Sequence, residues 1–159
     1  LASGDEGPIV SGDRDEGLVY LVRTDYFEPA RGRDARHALG VLERMTVEGR
    51  PCLLENHRDN FIGEPQARHH ALGELDTLYR EALQRHRGLR FMSTSELGRI
   101  LRNSDSMWLI TNWRERLPAR WQRLRCSGRP WKLACATGIA LVGAMLVRML
   151  SRPVQRELA

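Results

Sequence analysis

The sequence predicts an α/β fold followed by a C-terminal membrane helix. Three observations carry that expectation. Short apolar runs alternate with longer stretches of helical period between residues 17 and 103. A dense polar cluster, Asn56-His57-Arg58-Asp59-Asn60, stands immediately past one of those runs. Charge and hydropathy then change together near residue 107. Residues 1–112 carry 15 Lys/Arg against 18 Asp/Glu, whereas residues 113–159 carry 10 against 2. A near-neutral domain is thus joined to a basic tail, and 159 residues suit one compact domain with an appendage.

Residues 1–16 are rich in Gly, Asp and Ser and read as a loop, with a short edge strand at Pro8-Ile9-Val10. Residues 18–22, Leu-Val-Tyr-Leu-Val, have strand length and composition and suit a strand covered on both faces of a parallel sheet. A polar and aromatic loop follows at residues 23–29. Residues 34–48 predict a helix, because Ala35, Ala38, Leu39, Leu42 and Met45 fall at three- and four-residue steps. Gly49 and Pro51 stop it. Residues 52–55 form the next strand, and residues 66–87 the next helix, with Leu72, Leu75, Leu78, Tyr79, Ala82 and Leu83 on its apolar stripe. Gly88 ends that helix. Residues 89–92 predict a third strand. Ser93-Thr94 with Glu96 predict a capped helix start before Leu97, Ile100 and Leu101. The order β-α-β-α-β-α with short links implies right-handed βαβ units on a parallel sheet.

From residue 107 the chain holds all four tryptophans, Trp108, Trp113, Trp121 and Trp131, interleaved with arginines from Arg114 to Arg129 and with Lys132. Residues 133–147 then run for 15 positions without a charge, and counting through Leu150 gives 18, with Arg148 able to snorkel. A span needs roughly 20 apolar residues, so a membrane helix is expected over residues 133–150. Gly138 and Gly143 suit such a helix, and Trp131 and Lys132 an interfacial anchor. Residues 107–132 are then a juxtamembrane segment and residues 151–159 a short tail. Basic residues are denser before the span, which puts the domain on the cytoplasmic side of an inner membrane. The adjacent apolar helix makes lipid, not nucleic acid, the expected partner of the Trp/Arg segment. No signal peptide is legible at the N-terminus. Cys52, Cys126 and Cys135 have neither zinc spacing nor a disulfide framework.

In α/β folds, polar groups just past the carboxyl ends of strands are where ligands and catalysis are found. His57 is the leading candidate. An imidazole titrates near neutrality and can protonate a leaving amine or alcohol, with Asp59 or Glu55 orienting it. The competing reading is a histidine that caps a turn. Arg58 and Asn60 can bind substrate hydroxyls or brace the loop. Asp25 and Glu28 either face the same mouth or lie in a solvated loop. His69 and His70 are adjacent on a helix and point about 100° apart, so they do not chelate one ion from one face. His37 and His86 read as ordinary exposed helix residues.

Three segments carry a resemblance to a known family. They are Leu18-Val-Tyr-Leu-Val-Arg with Tyr26-Phe-Glu-Pro, then Gly49-Arg-Pro with Asn56-His57-Arg58-Asp59-Asn60-Phe-Ile-Gly, then Leu89-Arg-Phe-Met-Ser-Thr-Ser-Glu-Leu-Gly. In this order they resemble the C-terminal part of polysaccharide deacetylase-like proteins, of the glycoside hydrolase/deacetylase barrel superfamily. The resemblance covers about residues 1–103. It implies that residues 1–106 are the C-terminal portion of a (β/α) barrel of deacetylase type. It also implies metal-dependent removal of acetyl groups from a carbohydrate, either a polysaccharide or a lipid-linked sugar. His57 matches the family histidine that acts as general acid toward the leaving group, although Glu55 stands where the family usually has Leu. Arg58, Asn60 and Asp25 are the expected substrate-binding residues. The family's zinc-like divalent metal is held by an Asp and two His of early strands. Those motifs are not in this sequence, so the ligands are expected in a longer protein and this chain alone is expected to be inactive. The alternative expectation is a catalytically inactive relative that binds glycans or serves as a membrane-tethered scaffold.

Overall fold

The structure, a computed structural model, describes residues 9–103, 109–110, 112–126 and 128–150. Trp108, the tail at residues 151–159 and most of the expected edge strand's surroundings, residues 1–8, lie outside the described residues. The fold is mixed α/β with helix predominating. The chain divides into two compact units, Leu1–Thr46 with Arg50–Asn103, and Val47–Gly49 with Ser104–Ala159.

In the first unit, β1 (Arg14–Asp15) and β2 (Leu18–Val19) form an antiparallel hairpin. The two linking residues, Glu16 and Gly17, have φ of 45° and 83°. Positive φ at both positions gives a turn whose twist matches that of a hairpin. Residues 18–22 are therefore not a covered parallel strand, as expected above: local turn closure pairs Leu18 with Asp15 and leaves Leu18 exposed. The hairpin meets α4 (Thr94–Arg102). Arg14 Nη2 donates to the carbonyls of Leu101 and Arg102 at 2.8 and 2.9 Å. Those are among the orphan carbonyls that every helix C-terminus exposes, and a cation there also complements the helix dipole. At the other end of α4, Ser93 accepts a hydrogen bond from the Glu96 N–H at 3.2 Å, so the expected cap forms.

β3 (Asp25–Tyr26) and β4 (Leu54–Glu55) pair in parallel, Asp25 opposite Leu54 and Tyr26 opposite Glu55. The connection between them runs through α1 (Ala35–Glu48), which makes a βαβ unit. The start of α1 is held twice. Asp34 Oδ1 accepts from the His37 N–H at 3.0 Å, and Glu74 Oε2 accepts from the Ala35 N–H at 2.9 Å. Glu74 belongs to α3 (Pro65–Arg85), which follows the single turn α2 (Asp59–Ile62). Proline at the first position of α3 forfeits no hydrogen bond there. The core gathers Phe27, Ala35, Ala38, Leu39, Leu78 and Ala82, with Leu42, Leu54, Phe61, Leu75 and Leu89 packed around it. Parts of the expected stripes of both helices thus enter the core, with Leu72, Tyr79 and Leu83 exposed. Residues 89–92 form no strand. Phe91 is exposed and meets Tyr79 of α3 edge to face at 5.0 Å, while among the described residues the sheet of β4 contains only β3 and β4.

The second unit contains α5 (Trp113–Cys126), α6 (Gly128–Ala136) and α7 (Ile139–Leu150). Asn112 Oδ1 accepts from the Arg114 N–H at 3.0 Å and caps α5. Trp121 and Trp131 meet edge to face at 5.7 Å. Gly143 is required by close approach, because a Cβ at that position would overlap the Trp121 ring. The expected continuous helix over residues 133–150 is corrected. α6 and α7 are bent by 97° across Thr137 and Gly138. Gly138 takes φ 75°, the left-handed conformation that terminates helices, and the Thr137 N–H still bonds to the Leu133 carbonyl at 3.0 Å. No single helix among the described residues is long and apolar enough to cross a membrane, although the bent pair passes by length and composition together.

Candidate functional site

The parallel pair β3–β4 delivers two polar loops to one edge. Past β3 come Phe27 and Glu28, and past β4 come Asn56 and His57. The ladder extends beyond the strands, with the Phe27 N–H donating to the Glu55 carbonyl at 2.8 Å. Phe27 is buried in the core and fixes the exit of β3, which leaves the next carboxylate, Glu28, only 6% exposed. The turn Pro29–Arg31 then closes on Gly32 (φ 77°), and the backbones of Glu28 and Arg33 bridge each other.

His57 stands above this edge, half exposed. Its Nε2 is 3.9 Å from Glu28 Oε1 and 3.7 Å from Glu55 Oε1. Its ring lies on Tyr26, with centroids 5.9 Å apart and planes at 19°. Tyr26 also carries two guanidinium groups, Arg23 at 4.1 Å and Arg33 at 4.9 Å from the ring centre. Arg23 is ion-paired with Glu55, and Arg33 lies 3.4 Å from Asp25. Glu28 is further bound by Arg31 at 3.4 Å.

A second histidine reaches the same strands. His37, in the first turn of α1, places Nε2 3.1 Å from Asp25 Oδ2. The Tyr26 N–H donates to Asp25 Oδ1 at 2.8 Å and, with His37 and Arg33 adding to it, holds the Asp25 carboxyl below the usual carboxylate range. These strands thus carry two carboxylate–histidine groups, His57 with Glu28 and Glu55, and His37 with Asp25.

Comparison of the chain with family models, curated proteins and solved structures finds no match.

Of the expected site residues, His57 and Asp25 belong to this cluster, each with a different partner. Asn60 lies beside it and braces the loop: its Nδ2 donates to the Asn56 side chain at 3.3 Å and to the Phe27 carbonyl at 3.4 Å. Arg58 precedes α2 as its cap, is exposed, and its guanidinium meets no partner among the described residues. Glu55, one of the two carboxylates proposed to orient His57, does approach it, and Glu28 supplies the other. His37 is exposed on α1, as expected, and pairs with Asp25. The signal that locates it is Asp34 three residues earlier, which caps α1 and fixes the turn that carries His37 back toward β3. Arg23 and Tyr26 gave no such signal. Cys52, just before β4, is no nucleophile, because burial pushes its thiol up to about 11.

The metal implied by the resemblance does not fit these residues. Among the described residues, no group of three or more His, Cys, Asp and Glu side chains could hold an ion. The chemistry legible here is that of His57, an imidazole whose Nε2 has the carboxyl groups of Glu28 and Glu55 within 4 Å.

Proposed function

We propose that this chain is part of a carbohydrate deacetylase-like hydrolase of (β/α)-barrel type, in which His57 is the general acid toward the leaving group. The observation that carries the reading is the placement of His57 past the carboxyl end of β4, beside a parallel neighbour, with Glu28 and Glu55 both within ion-pair range. The βαβ order supports the barrel part of the proposal. Glu28 and Glu55 orient the imidazole and Tyr26 supports its ring. Asn60 keeps the loop in place, while Arg58 and the half-exposed ring lie open to a sugar. The ligands of the metal that the resemblance implies are expected in a longer protein.

The second unit attaches the protein to a membrane on its cytoplasmic face. The basic charge of residues 113–159, their tryptophans and the apolar α7 support this part of the proposal.

The test is acetate release from a panel of N- and O-acetylated oligosaccharides, with binding measured in parallel by calorimetry. Release by the full-length protein is expected. It should fall about 10²–10⁴-fold in His57→Ala, with affinity changed far less. Binding without release would favour the catalytically inactive glycan-binding relative. Equal turnover in a folded His57→Ala variant would remove His57 from the mechanism.

A further inference from the structure

We infer that α6 and α7 insert into a single leaflet of an anionic bilayer, lying in its interface without crossing it. This rests on the membrane reading above and specifies how the contact is made. The first argument is exposure. Ile139, Leu141, Val142, Met145, Leu146 and Met149 of α7 are between 49% and 79% exposed, an apolar surface that water covers at a cost. The second argument is length. Twelve residues of α7 extend about 18 Å, against a hydrocarbon core of about 30 Å. The nine residues of α6 do not add to that reach, because the two axes are bent by 97°.

The third argument is complementarity, which selects lipid as the occupant of the apolar face. Residues 113–159 carry 10 cations against 2 anions. Arg114 stands 5.4 Å from the Trp113 ring and Arg125 5.9 Å from the Trp131 ring. Indole paired with guanidinium is the combination that the headgroup zone favours, the ring half-immersed and the cation at phosphate level. Trp113 is exposed and available for this. The contact of Trp121 with Gly143 and with Trp131 ties α7 to α5 and α6, so the cationic and apolar parts act as one body. A sharply bent helix pair with an apolar surface, a cationic partner helix and, among the described residues, no single helix long enough to span is an interfacial anchor.

The experiment adds the full chain to preformed phosphatidylcholine vesicles with and without phosphatidylglycerol and follows flotation. Strong flotation is expected only with the anionic vesicles. Leu141→Glu, at an exposed position that leaves helix content unchanged by circular dichroism, should weaken it at least about tenfold. In a Cys52→Ser, Cys135→Ser background, Cys126 and an introduced Arg152→Cys should both react with a membrane-impermeant maleimide from outside. Flotation with the Arg152→Cys position protected until detergent is added would mean a span. That result would overturn the single-leaflet inference while leaving the membrane reading intact. Absence of flotation, including the case in which the chain self-associates through α7 instead, would overturn both. Flotation unaffected by Leu141→Glu would overturn the assignment of α7 as the inserted surface.

Discussion

His57 stacks on Tyr26 with the two ring planes 19° apart, and Tyr26 in turn lies under the guanidinium groups of Arg23 and Arg33. One aromatic ring thus organises the edge at which β3 and β4 end. Its hydroxyl takes no part in these contacts, which are made by the ring. Tyr26→Phe should therefore match the parent protein in stability and turnover. Tyr26→Ala removes three ring contacts and should cost about 1–3 kcal/mol, as well as releasing His57. Thermal unfolding and the sharpness of the His57 imidazole resonances check this. A Tyr26→Phe variant as damaged as Tyr26→Ala would show that the hydroxyl, not the ring, matters.

Asp25 gives a pH signature. Its carboxyl is held below the ordinary range by the Tyr26 N–H, and also by His37 and Arg33. A depressed folded-state pKa contributes stability above the unfolded value of about 4, and that contribution is lost as pH falls through the folded value. The parent should be more stable than Asp25→Asn at pH 7, with the gap closing below about pH 4. Denaturant melts at a series of pH values measure the gap; one that stays constant down to pH 3 contradicts the ionised-carboxylate role.

Gly143 lies against the Trp121 ring, so closely that a Cβ there would overlap it. Gly143→Ala should improve helix propensity by roughly 1 kcal/mol, yet the new methyl group overlaps the indole. Overpacking typically costs about 1–3 kcal/mol, so the steric effect is expected to win and the variant to be less stable. Tryptophan fluorescence should shift at the same time. A stabilised Gly143→Ala protein would mean that α7 does not approach Trp121.

Cys52 should be the slowest thiol. Raising its pKa from 9.0 to about 11 lowers its thiolate fraction about 100-fold near neutral pH, while Cys126 and Cys135 are exposed. Mass spectrometry after a timed iodoacetamide pulse under native conditions should find Cys126 and Cys135 modified well before Cys52. Simultaneous modification of all three would show that β4 opens on the timescale of the reaction.

The helices α1, α3 and α4 were legible in the sequence, whereas α2 and α5 were not. Ser93 starts α4 where its side chain predicts, and from the apolar steps of residues 34–48 and 66–87 Ala35, Ala38, Leu39, Leu78 and Ala82 reach the core. His57 was legible for the same reason, as a polar residue just past a short apolar run. Helical hydrogen bonds close within four residues, so neighbouring side chains determine where a helix begins, which face is buried and where it ends. Pairing between distant segments is different, because an apolar run does not specify its partner. Of residues 18–22 only Leu18 and Val19 became a hairpin strand, residues 89–92 joined no strand, and the apolar stretch after residue 133 was broken at Gly138. Only the tertiary structure set Tyr26 opposite Glu55, brought Arg23 to a carboxylate 32 residues away, and turned His37 toward Asp25. Those contacts depend on the register of two strands and on the angle at which α1 leaves them, and neither is encoded in the residues that meet.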